Sequence, residues 1–423
     1  MTRKKWLTVA IIATVQFVNV LDFVMVMPLG PTLARGIHVP ESTTGYFGGA
    51  YAVAACLSGL LGGFYLDSIE RKRALLCALL GLSLATGLCA FAVGFKSLFA
   101  ARFLAGLFGG PTTSLGMSIV SDTVPDSHRG RAMGIVTGAF SLAAIMGVPT
   151  AVFLAEHGGF RAPFLAVGLA GLCIFVFTAF MLPRLEAQPR LKLARFSELF
   201  QILSNANVRA SYLMTAGVMM AAYVLIPHFS GYLQLNRNVS LSYIKWLYFF
   251  GGFLTVAAGQ LAGRLIDAYG ATKVVALGCM LAASVIFPFF VLESPYVAPT
   301  VVFMGFATSM SIRNVCHGAL SSKVPTPGQR ARFHSLQSAI DHASSATVAI
   351  LSSMLVTTVS APTSPVGRQL EGVPTVALVS VVLTLSLPLL FWRVERRLRI
   401  ERAVANSPTP GPSIQVRSSS SSK

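Results

Sequence analysis

Twelve apolar runs, each roughly 18 residues or longer, follow one another along this chain with almost no charge inside them. They fall near 6–27, 43–66, 74–93, 97–120, 132–155, 161–183, 208–233, 242–266, 273–292, 297–320, 331–358 and 374–393. Each can cross a bilayer core of about 30 Å as a helix. Backbone groups in hydrocarbon must bond internally, which leaves helices or a closed barrel, and no period-2 alternation supports a barrel. Only 11% of the 423 residues are charged, whereas a soluble domain carries about 25%. A water-soluble globule is excluded, and the expected fold is an all-α membrane protein with twelve transmembrane helices. The first run follows the basic stretch Met1 to Lys5 and lacks a small-residue cleavage site, so it reads as a retained span rather than a leader.

The 33 Lys and Arg outnumber the 15 Asp and Glu, for a net charge of +18. A surplus of that size suits nucleic acid or a membrane surface, and position decides between them. With the N-terminus inside, 25 basic residues fall on inner segments and 6 on outer ones, while Arg102 and Arg313 lie within spans. This asymmetry is the positive-inside pattern, so both termini are expected in the cytoplasm of a multi-pass inner-membrane protein. Nucleic-acid binding loses its support. All six cysteines sit in apolar stretches and none forms a CxxC pair, so neither a metal site nor a disulfide framework is expected.

A long repeat divides the chain. Gly59, Gly63, Asp67 and Arg73 around one inner loop answer to Gly259, Gly263, Asp267 and Lys273, each shifted by 200 positions. Ser121, Val124 and Pro125 answer in the same way to Ser321, Val324 and Pro325. Two six-helix bundles of the same build follow: 1–183 and 208–394, joined by a cytoplasmic linker at 184–207 and followed by a Ser/Pro-rich tail at 395–423, expected to be disordered.

These motifs resemble the major facilitator superfamily over essentially the whole chain. The loop after the second span is similar to that family's GxxxDRxGR[RK] signature, with Gly63, Asp67, Arg71 and Lys72 in place, though Ser68 stands where Arg is usual and Glu70 where Gly is usual. The second copy keeps Gly263, Asp267, Gly270 and Lys273. Arg102 and Gly106 in RFLAGLFGG resemble the RxxqG pattern of proton-driven members. LDFVMVMPLGP, with Asp22 and Pro28, is similar to the opening helix of drug-efflux-type members. In the fifth span Gly138 and Gly147 match the antiporter motif, and Pro149 follows in GVPTAV, a form similar to the sugar- and chloramphenicol-efflux branch. The resemblance implies two pseudo-symmetric bundles, a cavity lined by the first, fourth, seventh and tenth helices, and the two motif loops as gates. The same glycines also have a plain packing role at small-xxx-small spacing.

A charge placed mid-span costs about 2.5–3.5 kcal/mol even on lenient scales, so Asp22, Arg102, Arg313 and Asp341 carry the strongest functional expectation. Asp22 and Arg102 each lie five residues from the outer ends of their spans, roughly 8 Å below the boundary. Arg313 and Asp341 both lie in the inner half. Two intramembrane ion pairs are therefore expected, one per bundle. Each is either a static neutralised pair or a proton relay whose protonation tips as the cavity wets and dries. His334, Ser338, Asp341, Ser345 and Ser352 form one polar stripe on the eleventh span, fit for a water-filled cavity. His342 reads as a proton carrier or a hydrogen-bonding wall residue, and Asn314 as a polar group of the cavity. The expected function is proton-coupled efflux of a small organic solute by alternating access, without cofactor or metal, by a monomer in the bilayer. An importer or facilitator on the same fold, or a non-transporting sensor or scaffold, remain alternatives. Nothing supplies the nucleophile, metal cluster or phosphate loop of an enzyme.

Overall fold

A computed structural model describes residues 3–65, 70–183, 202–325, 330–361 and 367–405. These form the helical segments Arg3–Val24, Thr44–Tyr65, Arg71–Cys89, Phe95–Thr123, Arg131–Gly158, Arg161–Met181, Ala206–Leu235, Leu241–Tyr269, Ala271–Val291, Pro299–Ser321, Arg330–Leu355 and Val373–Ala405, counted below in this order. Among the described residues, nine helices are long and apolar enough to cross a membrane. The second, tenth and eleventh segments fall outside that set, the last two carrying Arg313 and Asp341. "Inner" below denotes the end at which the first helix begins and the last one finishes.

Each bundle has its own apolar interior. In the first, Val9, Ile12, Leu79, Ile119 and Val120 pack toward the inner end, and Leu21, Met25, Phe47, Leu98 and Phe164 toward the outer end. In the second, Val275, Phe333 and Phe391 pack at the inner end, and Leu225, Phe229, Phe290 and Val373 at the outer. Large apolar side chains such as Phe91, Leu169, Phe180, Met280 and Leu292 are exposed, as a lipid-facing surface requires. Lipid offers helices no hydrophobic drive to associate, so close backbone packing has to supply it. Gly106 illustrates this: a Cβ there would lie 2.2 Å from the Tyr51 carbonyl oxygen, so only glycine lets the fourth helix seat against the second.

The bundles meet along two seams. The second helix lies on the eleventh, where a Cβ at Gly45 would stand 2.7 Å from the Ala349 carbonyl oxygen. The fifth lies near the eighth, where a Cβ at Gly252 would stand 3.0 Å from Ile145 Cα. Ile145 belongs to a π turn, Ala143–Gly147. Pro149, which has no N–H to give to residue 145, follows that turn, and the ladder widens so that Val148 N–H reaches the Ala143 carbonyl.

Two features depart from the sequence expectation. A short antiparallel hairpin, Thr357–Ser360 paired with Arg368–Glu371, caps the outer end between the last two helices. The twelfth helix continues to Ala405, past residue 394, where the tail was expected to begin. An i,i+4 pair, Arg399 Nη2 to Glu395 Oε1 at 2.9 Å, supports that continuation. Linker residues 184–201 and tail residues 406–423 lie outside the described residues.

Candidate functional site

The outer half of the first bundle holds a sealed ion pair. Arg102 Nη1 donates to Asp22 Oδ1 at 2.9 Å and to Oδ2 at 3.0 Å, and both side chains are 0% exposed. Thr86 Oγ1 donates to the same Oδ1 at 2.9 Å. The Tyr51 ring lies against the guanidinium, 4.8 Å from Cζ. Arg102 Nε and Nη2 have no partner. The expected depth match thus becomes a contact between the first and fourth helices, with the third helix supplying Thr86.

From this pair a polar chain runs inward along the first helix. Tyr51 hydroxyl donates to Asn19 Oδ1 at 2.9 Å. Asn19 Nδ2 donates to Thr113 Oγ1 at 2.7 Å and to the Gly109 carbonyl at 3.1 Å. Asn19 and Asp22 stand three residues apart, nearly one turn, so they share a face. Sequence reasoning missed Asn19, Tyr51 and Thr86; the three-residue spacing on the first helix was the available signal for Asn19.

The second bundle does not mirror this arrangement. The expected Arg313–Asp341 pair is absent. Arg313 is 1% exposed and donates from Nη1 to Thr384 Oγ1 of the twelfth helix at 3.2 Å, while its Nε and Nη2 have no partner. Depth fixed only the position along the axis, and azimuth decides contact. Successive residues turn by about 100°; Asn314 is exposed, so its neighbour Arg313 points into the bundle interior. Asp341 is half-buried, and its Oδ1 has no hydrogen-bond partner. Beside it, His342 is half-buried.

The stripe on the eleventh helix reports the shape of the cleft. His334 and Ser338 are exposed, Asp341 is half-buried, and Ser345 and Ser352 are buried. Access therefore fades from the inner end outward. At the outer end the bundles are tied together. Arg368 Nη1 meets Glu41 Oε1 at 3.2 Å, Ser42 N–H donates to Thr358 Oγ1 at 3.1 Å, and Lys245 Nζ meets Glu156 Oε2 at 3.0 Å. Ser230 Oγ and Gln234 Nε2 both donate to the Pro28 carbonyl, at 3.2 and 3.3 Å. Aromatic rings bridge the bundles at mid-depth: Phe23 lies 5.1 Å from Tyr51 and 6.1 Å from Tyr223 between ring centroids. The bundles are thus tied at the outer end, while the polar stripe of the eleventh helix becomes exposed toward the inner end.

The motif residues are distributed as follows. Arg71 pairs with Asp122 at the inner end of the fourth helix, and Lys72 Nζ donates to the Leu182 carbonyl, so both tie the inner ends of their own bundle. Gly63 lies in the second helix, and Asp67 and Ser68 lie outside the described residues. A Cβ at Gly263 would meet nothing within 4 Å, whereas Gly270, at φ +84°, ends the eighth helix in the conformation that favours glycine. Asp267 and Lys273 are exposed. A carboxylate at the start of the ninth helix comes from Glu395, which accepts from Thr272 N–H at 3.3 Å and from the Thr272 hydroxyl. In the fifth helix a Cβ at Gly147 would stand 2.8 Å from Leu21 Cδ1, beside Asp22, while Gly138 faces only its own helix backbone.

Two bundles of membrane-length helices, tied at one end and holding buried charges, are the architecture of a membrane transporter family. The chain belongs to the Major Facilitator Superfamily, whose family model matches residues 12–312 and 211–420. Members are transporters rather than enzymes, and this is a multi-pass membrane protein. It is 24% identical over 320 residues to the uncharacterized MFS-type transporter YceJ of Bacillus subtilis, covering 74% of this chain and 80% of that one. It is 25% identical over 322 residues to a Lactococcus lactis homolog of the multi-drug resistance efflux pump PmrA, covering 73% and 78%. Its fold matches the inward-facing, unoccupied bacterial homolog of the human lysosomal transporter Spinster, with a TM-score of 0.74 at 16% identity over 95% of this chain and 99% of that one.

Proposed function

We propose that this transporter exports a small organic solute from the cytoplasm in exchange for protons, with both chain termini in the cytoplasm. The observation that carries the reading is Asp341, a half-buried carboxylate with an unbonded oxygen on a stripe exposed toward the inner end. A carboxylate so placed can hold either a proton or a positively charged solute, and exchange of one for the other couples their movements. Arg102 is neutralised by Asp22 and Arg313 points away from the cleft. The solute that fits is therefore an organic cation or a neutral amphipathic molecule, rather than an anion. The 25% identity to the efflux pump homolog supports export. The Asp22–Arg102 pair and its polar chain hold the first bundle rigid while it swings, and the motif loops with Arg71, Lys72, Gly263, Asp267, Gly270 and Lys273 gate the inner end.

Everted membrane vesicles test the direction. With an acid-inside gradient they should accumulate the cationic dye ethidium, and collapse of the gradient should release it. Accumulation by right-side-out vesicles alone, driven by an inward proton gradient, would establish import instead.

A further inference from the structure

The inner end of the twelfth helix carries a cationic recess that the transport reading leaves unused. From Val373 to Arg393 the helix rises about 30 Å, one bilayer core, so the residues after Leu390 stand at headgroup level. An open recess of about 580 Å³ there is lined by Asn207, Trp392, Arg393, Arg396, Arg397, Ile400 and Glu401, three cations against one carboxylate. Glu401 in the lining and Glu395 beside it each have other partners. Glu395 is held by Thr272 and Arg399, and Glu401 Oε2 accepts from Asn207 Nδ2 at 2.8 Å. Among the described residues, Arg393, Arg396 and Arg397 form no ion pair. Arg396 Cζ lies 5.2 Å over the exposed Trp392 ring, which holds one guanidinium at the level where indoles favour the membrane interface.

We infer that this recess binds the phosphate headgroup of an anionic phospholipid. Three guanidiniums that form no ion pair among the described residues outnumber the one carboxylate of the recess and present fork-like donors that match phosphate oxygens. Trp392 and Ile400, both exposed and apolar, fit the glycerol and upper acyl region beside them. Basic clusters immediately beyond a span attract anionic lipid at about 1 kcal/mol per residue. Asn207 lies in the first turn of the seventh helix, so a bound headgroup would bridge the seventh and twelfth helices and steady the inner end of the second bundle.

The test is thermal unfolding of the purified full chain in detergent with added phosphatidylglycerol, phosphatidylcholine or inorganic phosphate. Phosphatidylglycerol should raise the midpoint by several degrees more than phosphatidylcholine, and inorganic phosphate should do little. The triple variant Arg393→Gln, Arg396→Gln, Arg397→Gln should lose most of that difference, and the corresponding triple lysine variant should keep part of it. Equal shifts from the two lipids, or a phosphatidylglycerol shift unchanged in the glutamine variant, would overturn the proposal. A matching shift from inorganic phosphate would make the recess a free-anion site, and would overturn it too. The lipid comparison on the unaltered protein reads out even if a variant fails to fold.

Discussion

Replacing Asp22 by Asn removes one charge of a pair that water never reaches. Arg102 Nη1 loses a bidentate carboxylate at 2.9 and 3.0 Å, while Nε and Nη2 are already without partners, so the guanidinium is left buried and uncompensated. The Tyr51 face at 4.8 Å remains, but a cation–π contact supplies only about 0.5–2 kcal/mol. Breaking a buried pair from one side costs about 3–5 kcal/mol, whereas replacing both partners by apolar residues of similar volume is near neutral. At about 2–4 °C per kcal/mol for a unit of this size, the single variant should unfold roughly 6–20 °C lower. The double variant Asp22→Leu with Arg102→Met should unfold within a few degrees of the parent. A thiol-reactive fluorophore can report unfolding once the exposed Cys77 and Cys173 and the half-buried Cys56 are replaced by Ser, because Cys89, Cys279 and Cys316 are buried and free. The reasoning is refuted if Asp22→Asn unfolds within about 2 °C of the parent, or if the double variant is as damaged as the single one.

Three further variants probe packing and gating. Gly106→Ala should cost about 1–3 kcal/mol in the same unfolding assay, as expected for overpacking, because its Cβ would sit 2.2 Å from a backbone oxygen. Gly59→Ala, with nothing within 4 Å, should be neutral. Arg368→Gln removes the outer tie to Glu41; since Arg368 is 52% exposed, the loss is at most about 1 kcal/mol. That is still up to fivefold in the balance between outward-closed and outward-open states. It should appear as faster labelling of a Ser353→Cys probe, buried against Gly45, by a membrane-impermeant thiol reagent from the outer side.

How much of this was legible in the sequence depended on the dimension each inference used. Span positions were, because a bilayer forces a run of apolar residues whatever the neighbours do, and the helix expected at 6–27 runs from Arg3 to Val24. The Asp22–Arg102 pair was also legible, since two opposite charges at matched depth in one bundle have few other ways to be neutralised. The same reasoning failed for Arg313 and Asp341. Rotation about the helix axis separates them, and the exposed Asn314 was the clue to that rotation. The contact of Glu395 with the start of the ninth helix could not be read, because it comes from a segment expected to be disordered. Contacts between elements distant in sequence leave no periodicity to read, and the hairpin at Thr357–Ser360 is too short to leave one.

The central claim is that Asp341 exchanges its proton for solute. Proteoliposomes carrying an internal pH-sensitive dye, with ethidium added to a preformed pH gradient, measure both movements at once. The intact protein should release protons in step with ethidium transport, whereas Asp341→Asn should exchange ethidium across the membrane without moving protons and without accumulating it uphill. Uphill accumulation with coupled proton movement in Asp341→Asn would contradict the account.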